Sequence, residues 1–208
     1  MTELRAFVYI DRMQPQYAAY VGANARGYLP VPGMASTMVE MAPGVLINQV
    51  TDAAVKAANV RPGLMIVERH FGILEFHSDA QEEVKHAGDA VLKSLGMKLS
   101  DRTKPRVLNS QIINKTNPYH AQMVNVSRLC SMLLPGQDLF ILEVEPAAYI
   151  TLAANEAEKG AAITLVDLRA FGAVGRLYLG GTQSDVERAG GAAEAAIRRI
   201  AGELAEAA

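Results

Sequence analysis

The chain has almost no cysteine, little net charge and no long hydrophobic run, and each shortage removes a class of protein. A single cysteine, Cys130, leaves no partner for an internal disulfide and no ligand-spaced companion for zinc, which fits a reducing compartment. Its neighbours Leu129, Met132, Leu133 and Leu134 are apolar, so Cys130 is expected to be a buried structural thiol. The formal net charge is -2 and the lysines and arginines are scattered. That pattern lacks the basic face a phosphate backbone requires, and no nucleic-acid partner is expected. Nowhere does an uncharged apolar stretch approach the roughly 18 residues of a membrane span, and the opening MTELRAFVYIDRM has no basic segment leading into an apolar one. Neither a membrane partner nor a standard export signal is expected. Low-complexity tracts are missing too. With 50% of its 208 residues hydrophobic and 20% charged, the chain can bury a substantial core and fold throughout, as one large domain or two small ones.

An internal repeat favours two. Moving 103 places along the chain sets Pro15 on Pro118, Val21 on Val124, Pro32-Gly33 on Pro135-Gly136, Glu40 on Glu143, Pro43 on Pro146 and Lys56 on Lys159. Phe71-Gly72 then meets Phe171-Gly172 at 100 places, which implies three extra residues in the first copy around Arg61-Pro62-Gly63. Val84, Ala87 and Gly88 meet Val186, Ala189 and Gly190 at 102 places, implying a two-residue insertion near Gly180-Gly181. A repeat this long is a duplicated domain and not a solenoid. The polar, proline-ended stretch from Ser100 to Pro105 reads as the linker. Residues 1–101 are expected to form the first copy and 102–208 the second.

Each copy reads as strand, helix, strand, helix, hairpin, helix. In the first, Leu4 to Ile10 is a strand, Pro15 to Ala25 a helix opened by proline, and Thr37 to Met41 a strand after a Pro32-Gly33 turn. A helix from about Val45 to Ala58 follows, its Ile47, Val50, Ala54 and Ala57 spaced at three and four. Leu64 to Arg69 and Ile73 to His77 make a hairpin around Phe71-Gly72. The last helix is expected to begin at Ser78 or Asp79, capped by Ser78 with Gln81 or Asp79 with Glu82, and to be closed by Gly96; Ser184 with Glu187 repeats the cap. The pattern is that of an α+β fold, a sheet with helices on one face.

From Leu139 to Ile200 the second copy shows a strand (LFILEVE), a helix ending NEAEKGAA, a hairpin (ITLVDLRAFGAVGRLYLGG) and an alanine-rich helix beginning SDVERAG. The first copy repeats this as TDAAVKAANV followed by LMIVERHFGILEFHSD. In order and spacing these segments resemble the bacterial microcompartment shell domain. Leu4 to Met41 and Val107 to Glu145 stand where circularly permuted members of that family carry what is otherwise the carboxyl-terminal part. The chain is therefore similar to the tandem-domain, permuted shell proteins, including the carboxysomal type whose trimers can stack face to face.

That resemblance implies a homotrimer mimicking a hexamer, in a microcompartment shell in the cytoplasm, with other shell proteins at its tile edges and metabolites crossing an axial pore. It implies a structural protein, and the residues themselves point to no cofactor, no bound metal and no catalytic residue. Threefold symmetry brings like residues together at the axis, so a lone charge there would meet two of its own sign. The neighbours Glu68 and Arg69 supply an opposite pair and resemble the Glu-Arg gate of permuted members, with His70, Phe71 and Gly72 completing the pore segment. Leu168 and Arg169 stand at the matching place in the second copy on this alignment, so Arg169 joins the pore set while only the first copy keeps the acid. Lys56 and Lys159 match the family's tile-edge lysine. The arginine that many members carry at the end of the hairpin is His77 in one copy and Leu179-Gly180 in the other, so a different shell protein is expected as edge neighbour.

Motifs for other chemistry are incomplete along the chain. No Gly-x-Gly-x-x-Gly follows a strand, and Gly180-Gly181-Thr182 lacks a phosphate-loop lysine. His70, His77, His86 and His120 have no metal-ligand spacing and are expected at the surface or pore. Ser110, Ser127 and Ser131 sit in no nucleophile elbow, and Glu75, Glu82, Glu83 and Glu187 read as solvated. Two other classes fit the same residues. One is an oligomeric small-molecule sensor with a cleft between subunits; the other is an enzyme whose intersubunit site uses Glu68, Arg69 and His70.

Overall fold

The computed structural model describes residues 2–206, which separate into two compact units. The first takes in the chain through Lys104 together with the segment from Glu203 onward, and the second runs Pro105–Gly202. No helix among the described residues is long and apolar enough to cross a membrane.

The first unit contains β1 (Glu3–Ile10), α1 (Pro15–Asn24), β2 (Ala35–Ala42), α2 (Ile47–Ala57), β3 (Arg61–Glu68), β4 (Phe71–Ser78) and α3 (Gln81–Leu95). The strands pair antiparallel in the order β1-β2-β4-β3. Leu4, Phe7, Val39, Met41, Leu74 and Phe76 project to one face and pack with Ile47, Val50 and Ala54 of α2 and Val84, Ala87 and Val91 of α3. Both helices carry these residues at three- and four-residue spacing, which gives each a single apolar stripe. Gly96, at φ 65, closes α3 by donating its N–H to the carbonyls of Leu92 and Lys93.

On the other face of the same strands Ala6, Val8, Ile10, Ser36, Met38, Glu40, Ile73, Glu75 and His77 are equally buried. The segment that covers them carries α1, whose Tyr17, Ala18, Tyr20 and Val21 are themselves buried. With cover on both faces, β2 is buried at every position. This second cover explains why Glu75 and His77 are not solvated. Both lie on the central strand β4 with no exposure, Ser36 Oγ donates to Glu75 Oε1 at 2.6 Å, and His77 Nδ1 lies 3.2 Å from both Glu75 oxygens. Polar groups held in such a layer must satisfy one another. His70, His86 and His120 are exposed.

The second unit repeats the order with β5 (Arg106–Ile113), α4 (Pro118–Ser127), β6 (Asp138–Glu145), α5 (Ile150–Gly160), β7 (Thr164–Arg169), β8 (Gly175–Gly181) and α6 (Gln183–Glu206), in a sheet ordered β5-β6-β8-β7. Here α4 packs on the face bearing Leu139 and Ile141. It buries only Ala121, leaving Tyr119, Met123 and Val126 exposed, whereas α1 buries four residues.

The expected helix caps do not form. Strand β4 runs on through Ser78, so α3 starts at Gln81 behind Ala80 with no side-chain cap, and neither Ser78 nor Asp79 serves. In α6 the pair is Thr182 with Asp185 and not Ser184 with Glu187: Asp185 N–H donates to Thr182 Oγ1 at 3.3 Å, and that hydroxyl donates back to Asp185 Oδ2 at 2.6 Å.

Candidate functional site

Strands β3 and β4 stay paired up to Glu68 and Phe71, so the chain reverses at Arg69 and His70, with Arg69 at φ 52. The expected turn at Phe71-Gly72 therefore lies two residues too late; both are strand residues. Gly72 is needed for close approach, because a Cβ there would stand 2.3 Å from the carbonyl oxygen of Gly44. Gly44 N–H also donates to the carbonyl of His70 at 2.8 Å. The Phe71 ring is half-buried, with the His70 ring edge-on at 5.5 Å and the Arg5 guanidinium 4.0 Å from its centroid. Arg5 Nε in turn donates to Glu40 Oε1 at 2.7 Å, and Glu40 has no exposure. Glu68 and Arg69 are exposed at the tip, and neither side chain makes an ion pair or hydrogen bond with a described residue.

Pairing fixes the counterpart of this turn. Met65 faces Leu74 and Ile66 faces Ile73 in the first unit, while Leu168 faces Leu177 and Arg169 faces Arg176 in the second. A Cβ on Gly175 would meet the Ala147 carbonyl oxygen at 2.3 Å, as one on Gly72 meets Gly44. The offset is thus 103 places throughout both hairpins, and no insertion is needed at Arg61-Pro62-Gly63. Phe171 and Gly172, not Leu168 and Arg169, match Glu68 and Arg69, and the positive φ recurs, 52 at Arg69 and 100 at Gly172. The single change of offset, to 102, follows β8, where the second copy is one residue shorter and not two longer.

Beyond Arg169 and Arg176 the second hairpin opens into a loop, residues 170–174. Arg169 itself holds the end of α4. Its Nε donates to Asp167 Oδ2 at 3.0 Å, its Nη2 donates to the Ser127 carbonyl, and Asp167 Oδ1 accepts from Leu129 N–H at 2.9 Å. Cys130 lies in the same corner, half-buried. Burial, aided by the Asp167 carboxylate, pushes its thiol up to about 12. At about pH 8 such a thiol is ionised on the order of a thousandfold less than an ordinary cysteine. Alkylation of the native protein by iodoacetamide is expected to be slower by that factor and to recover in urea; rapid alkylation without denaturant would contradict the burial.

Lys56 and Lys159 occupy the last turns of α2 and α5, where a cation suits the helix dipole. Each bonds a carboxylate on its own helix, Lys56 to Asp52 at 2.7 Å and Lys159 to Glu156 at 2.8 Å. Among the grooves on the surface are one of about 240 Å³ beside Arg26, Thr51 and Met65 and another of about 400 Å³ between Ser110, Phe140 and Glu194. Sequence reasoning missed the support beneath the first turn, Arg5 with Glu40 and Phe71. Its one visible signal is a charge inside the otherwise apolar strand LRAFVYI.

Two permuted α+β units in tandem, with one strand order and the same close glycine contact in each, define a tandem-domain microcompartment shell protein. Residues 4–101 match the family described as the CsoS1D N-terminal domain. The chain is 48% identical over 200 residues to the carboxysome shell protein CcmP of Synechococcus elongatus, spanning 96% of this chain and 94% of that one. The solved structure of MSM0275, described as a fused permuted hexameric shell protein from the RMM microcompartment, superposes with a TM-score of 0.93 at 47% identity, covering 96% of this chain and 98% of its own. MSM0271 of the same microcompartment, described as a double-ringed trimeric shell protein, gives 0.92 at 40% identity over 96% and 97% of the two chains. The chain belongs to this family of carboxysome and related microcompartment shell proteins.

Proposed function

We propose that the chain is a structural, non-enzymatic subunit of a microcompartment shell in the cytoplasm, assembling as a homotrimer whose six units surround an axial pore. The observation that carries this reading is the duplicated permuted shell unit spanning the chain, together with relatives described as hexameric and trimeric shell proteins. Glu68, Arg69 and His70 line the pore, with Phe71 and Gly72 as the strand that carries them. With no side-chain partner among the described residues, Glu68 and Arg69 pair between copies around the axis, where exposed ion pairs exchange at little cost. Arg169, engaged with Asp167 and with Ser127 at the end of α4, stays out of the channel. Lys56 and Lys159 lie on the tile edge against other shell proteins, and small metabolites cross the pore.

The exposed stripe Tyr119, Met123 and Val126 on α4 meets the same stripe of a second trimer. Spacing of four and three puts these residues on one helical face, and the double-ringed relative supports the stacked arrangement.

The first experiment is the mass of the purified protein with negative-stain images. A trimer or a pair of trimers seen as a hexagonal disc is expected; a monomer or simple dimer would remove the shared pore. In assembled shells Glu68→Gln leaves three Arg69 side chains uncompensated, so anion flux is expected to rise by about tenfold at low salt with the mass unchanged. Unchanged flux would take Glu68 out of the channel.

A further inference from the structure

We propose that Arg5 is a positioning residue for the first turn, clamping Phe71 from across the sheet so that Glu68 and Arg69 move as side chains on a fixed backbone. The geometry stands without the pore reading; only the consequence for transport rests on it.

The clamp begins with a bulge. The β1–β2 register shifts between Leu4 and Ala6, which leaves Arg5 as the extra residue. A bulge of this kind re-aims a side chain that regular pleating would send elsewhere. Arg5 thereby reaches Glu40 on β2 at 2.7 Å and lies 4.0 Å from the Phe71 centroid on β4. The guanidinium is planar, so it can hold a carboxylate at its edge and an aromatic ring against its face at once, which a lysine cannot. Arg5 is only 9% exposed, and little water competes for either contact. Phe71 forms the closing pair of the hairpin with Glu68, so fixing its ring fixes the residue before the turn. The Gly44 to His70 hydrogen bond fixes the residue after Arg69.

The second unit keeps the bulge and loses the clamp. Its bulged residue is Leu108, 40% exposed, and Val174 stands where Phe71 does. Glu143, the counterpart of Glu40, is taken by Arg176 Nε at 2.8 Å. No described backbone hydrogen bond ties residue 173 to Ala147 as Gly44 ties His70. One turn is therefore held by a ring contact and a backbone hydrogen bond, and the other, the loop of residues 170–174, has a counterpart of neither among the described residues.

Amide hydrogen exchange of the full chain tests this, because it follows the backbone of each turn whether or not the turn lines a pore. Phe71→Leu leaves the Arg5–Glu40 pair in place and removes only the ring, so the unit should still fold. Exchange at Gly44 and across residues 66–74 is expected to rise on the order of tenfold, with the rest of the first unit unchanged and Phe71→Tyr close to the original protein. Adding Arg5→Met together with Glu40→Gln to the Phe71→Leu protein should raise turn exchange little further, since the contact is already lost. Equal effects of Leu and Tyr at position 71, a rise spread evenly over the first unit, or additive effects of the two changes would each overturn the clamp. Residues 170–174 should exchange faster than 68–71 in the unaltered protein; the reverse order would also overturn it.

Discussion

Arg5→Met is expected to lower the stability of the first unit by about 3–5 kcal/mol, because it takes the guanidinium away from the carboxylate of Glu40, which has no exposure. The loss does not measure what the ion pair contributes. It is mostly the penalty of keeping a buried carboxylate without its cation, and the pair itself costs desolvation to assemble. Arg5→Met combined with Glu40→Gln should accordingly be more stable than Arg5→Met alone, by about 2 kcal/mol, even though it carries one more substitution. An exposed pair gives the comparison. Arg106 bonds Glu145 at 2.9 Å with side-chain exposures of 71% and 40%, and Arg106→Met is expected to cost less than about 1 kcal/mol. Urea unfolding at fixed protomer concentration checks all three, since assembly would otherwise shift the midpoints. If Arg5→Met is as mild as Arg106→Met, Glu40 is not held by Arg5, and the support assigned to the turn falls with it.

The duplication, the element order and the helical stripes could be read from the residues because each depends on local spacing. Pro15 and Pro118 open helices in both copies for the same reason, a fixed φ and a missing N–H at a position that needs none. What the sequence hid depends on which surfaces meet. The alternation along Gly72 to His77 puts Glu75 and His77 on the face a single-layered sheet would give to water, and only the cover by the α1 segment turns that face into core. The same elements in the second copy carry Tyr178 and Gly180 there, under an α4 that buries one residue. Arg169 could be placed beside Arg69 by a pairing of two Phe-Gly dipeptides; strand register shows the likeness is accidental. The first hairpin was legible, but its turn was expected at Phe71-Gly72 and lies at Arg69 and His70, because that pair carries none of the usual turn chemistry.

The register correction makes a sharp prediction of its own at three glycines. Gly72→Ala would place a methyl carbon 2.3 Å from the Gly44 carbonyl oxygen, 2.9 Å from Gly44 Cα and 2.9 Å from Ile47 Cβ. Two of those atoms are backbone, and the corner they belong to starts α2, so the contact cannot relax by rotating a side chain. A loss of about 3 kcal/mol is expected. Gly175→Ala meets Ala147 oxygen at 2.3 Å and Ile150 Cβ at 2.9 Å, the same corner 103 places on, and should lose as much. Gly172→Ala meets no atom within 4 Å; its only penalty is the positive φ of 100, worth about 1–2 kcal/mol. Paired by their Phe-Gly dipeptides, Gly72 and Gly172 would be the matching positions and would respond alike, with Gly175 tolerant. Paired by strand register, Gly72 and Gly175 respond alike and Gly172 is the mildest of the three. Unfolding midpoints for the three single variants decide between them, and a tolerant Gly175→Ala would return the repeat to an offset of 100 in the hairpin and with it restore Arg169 as the partner of Arg69.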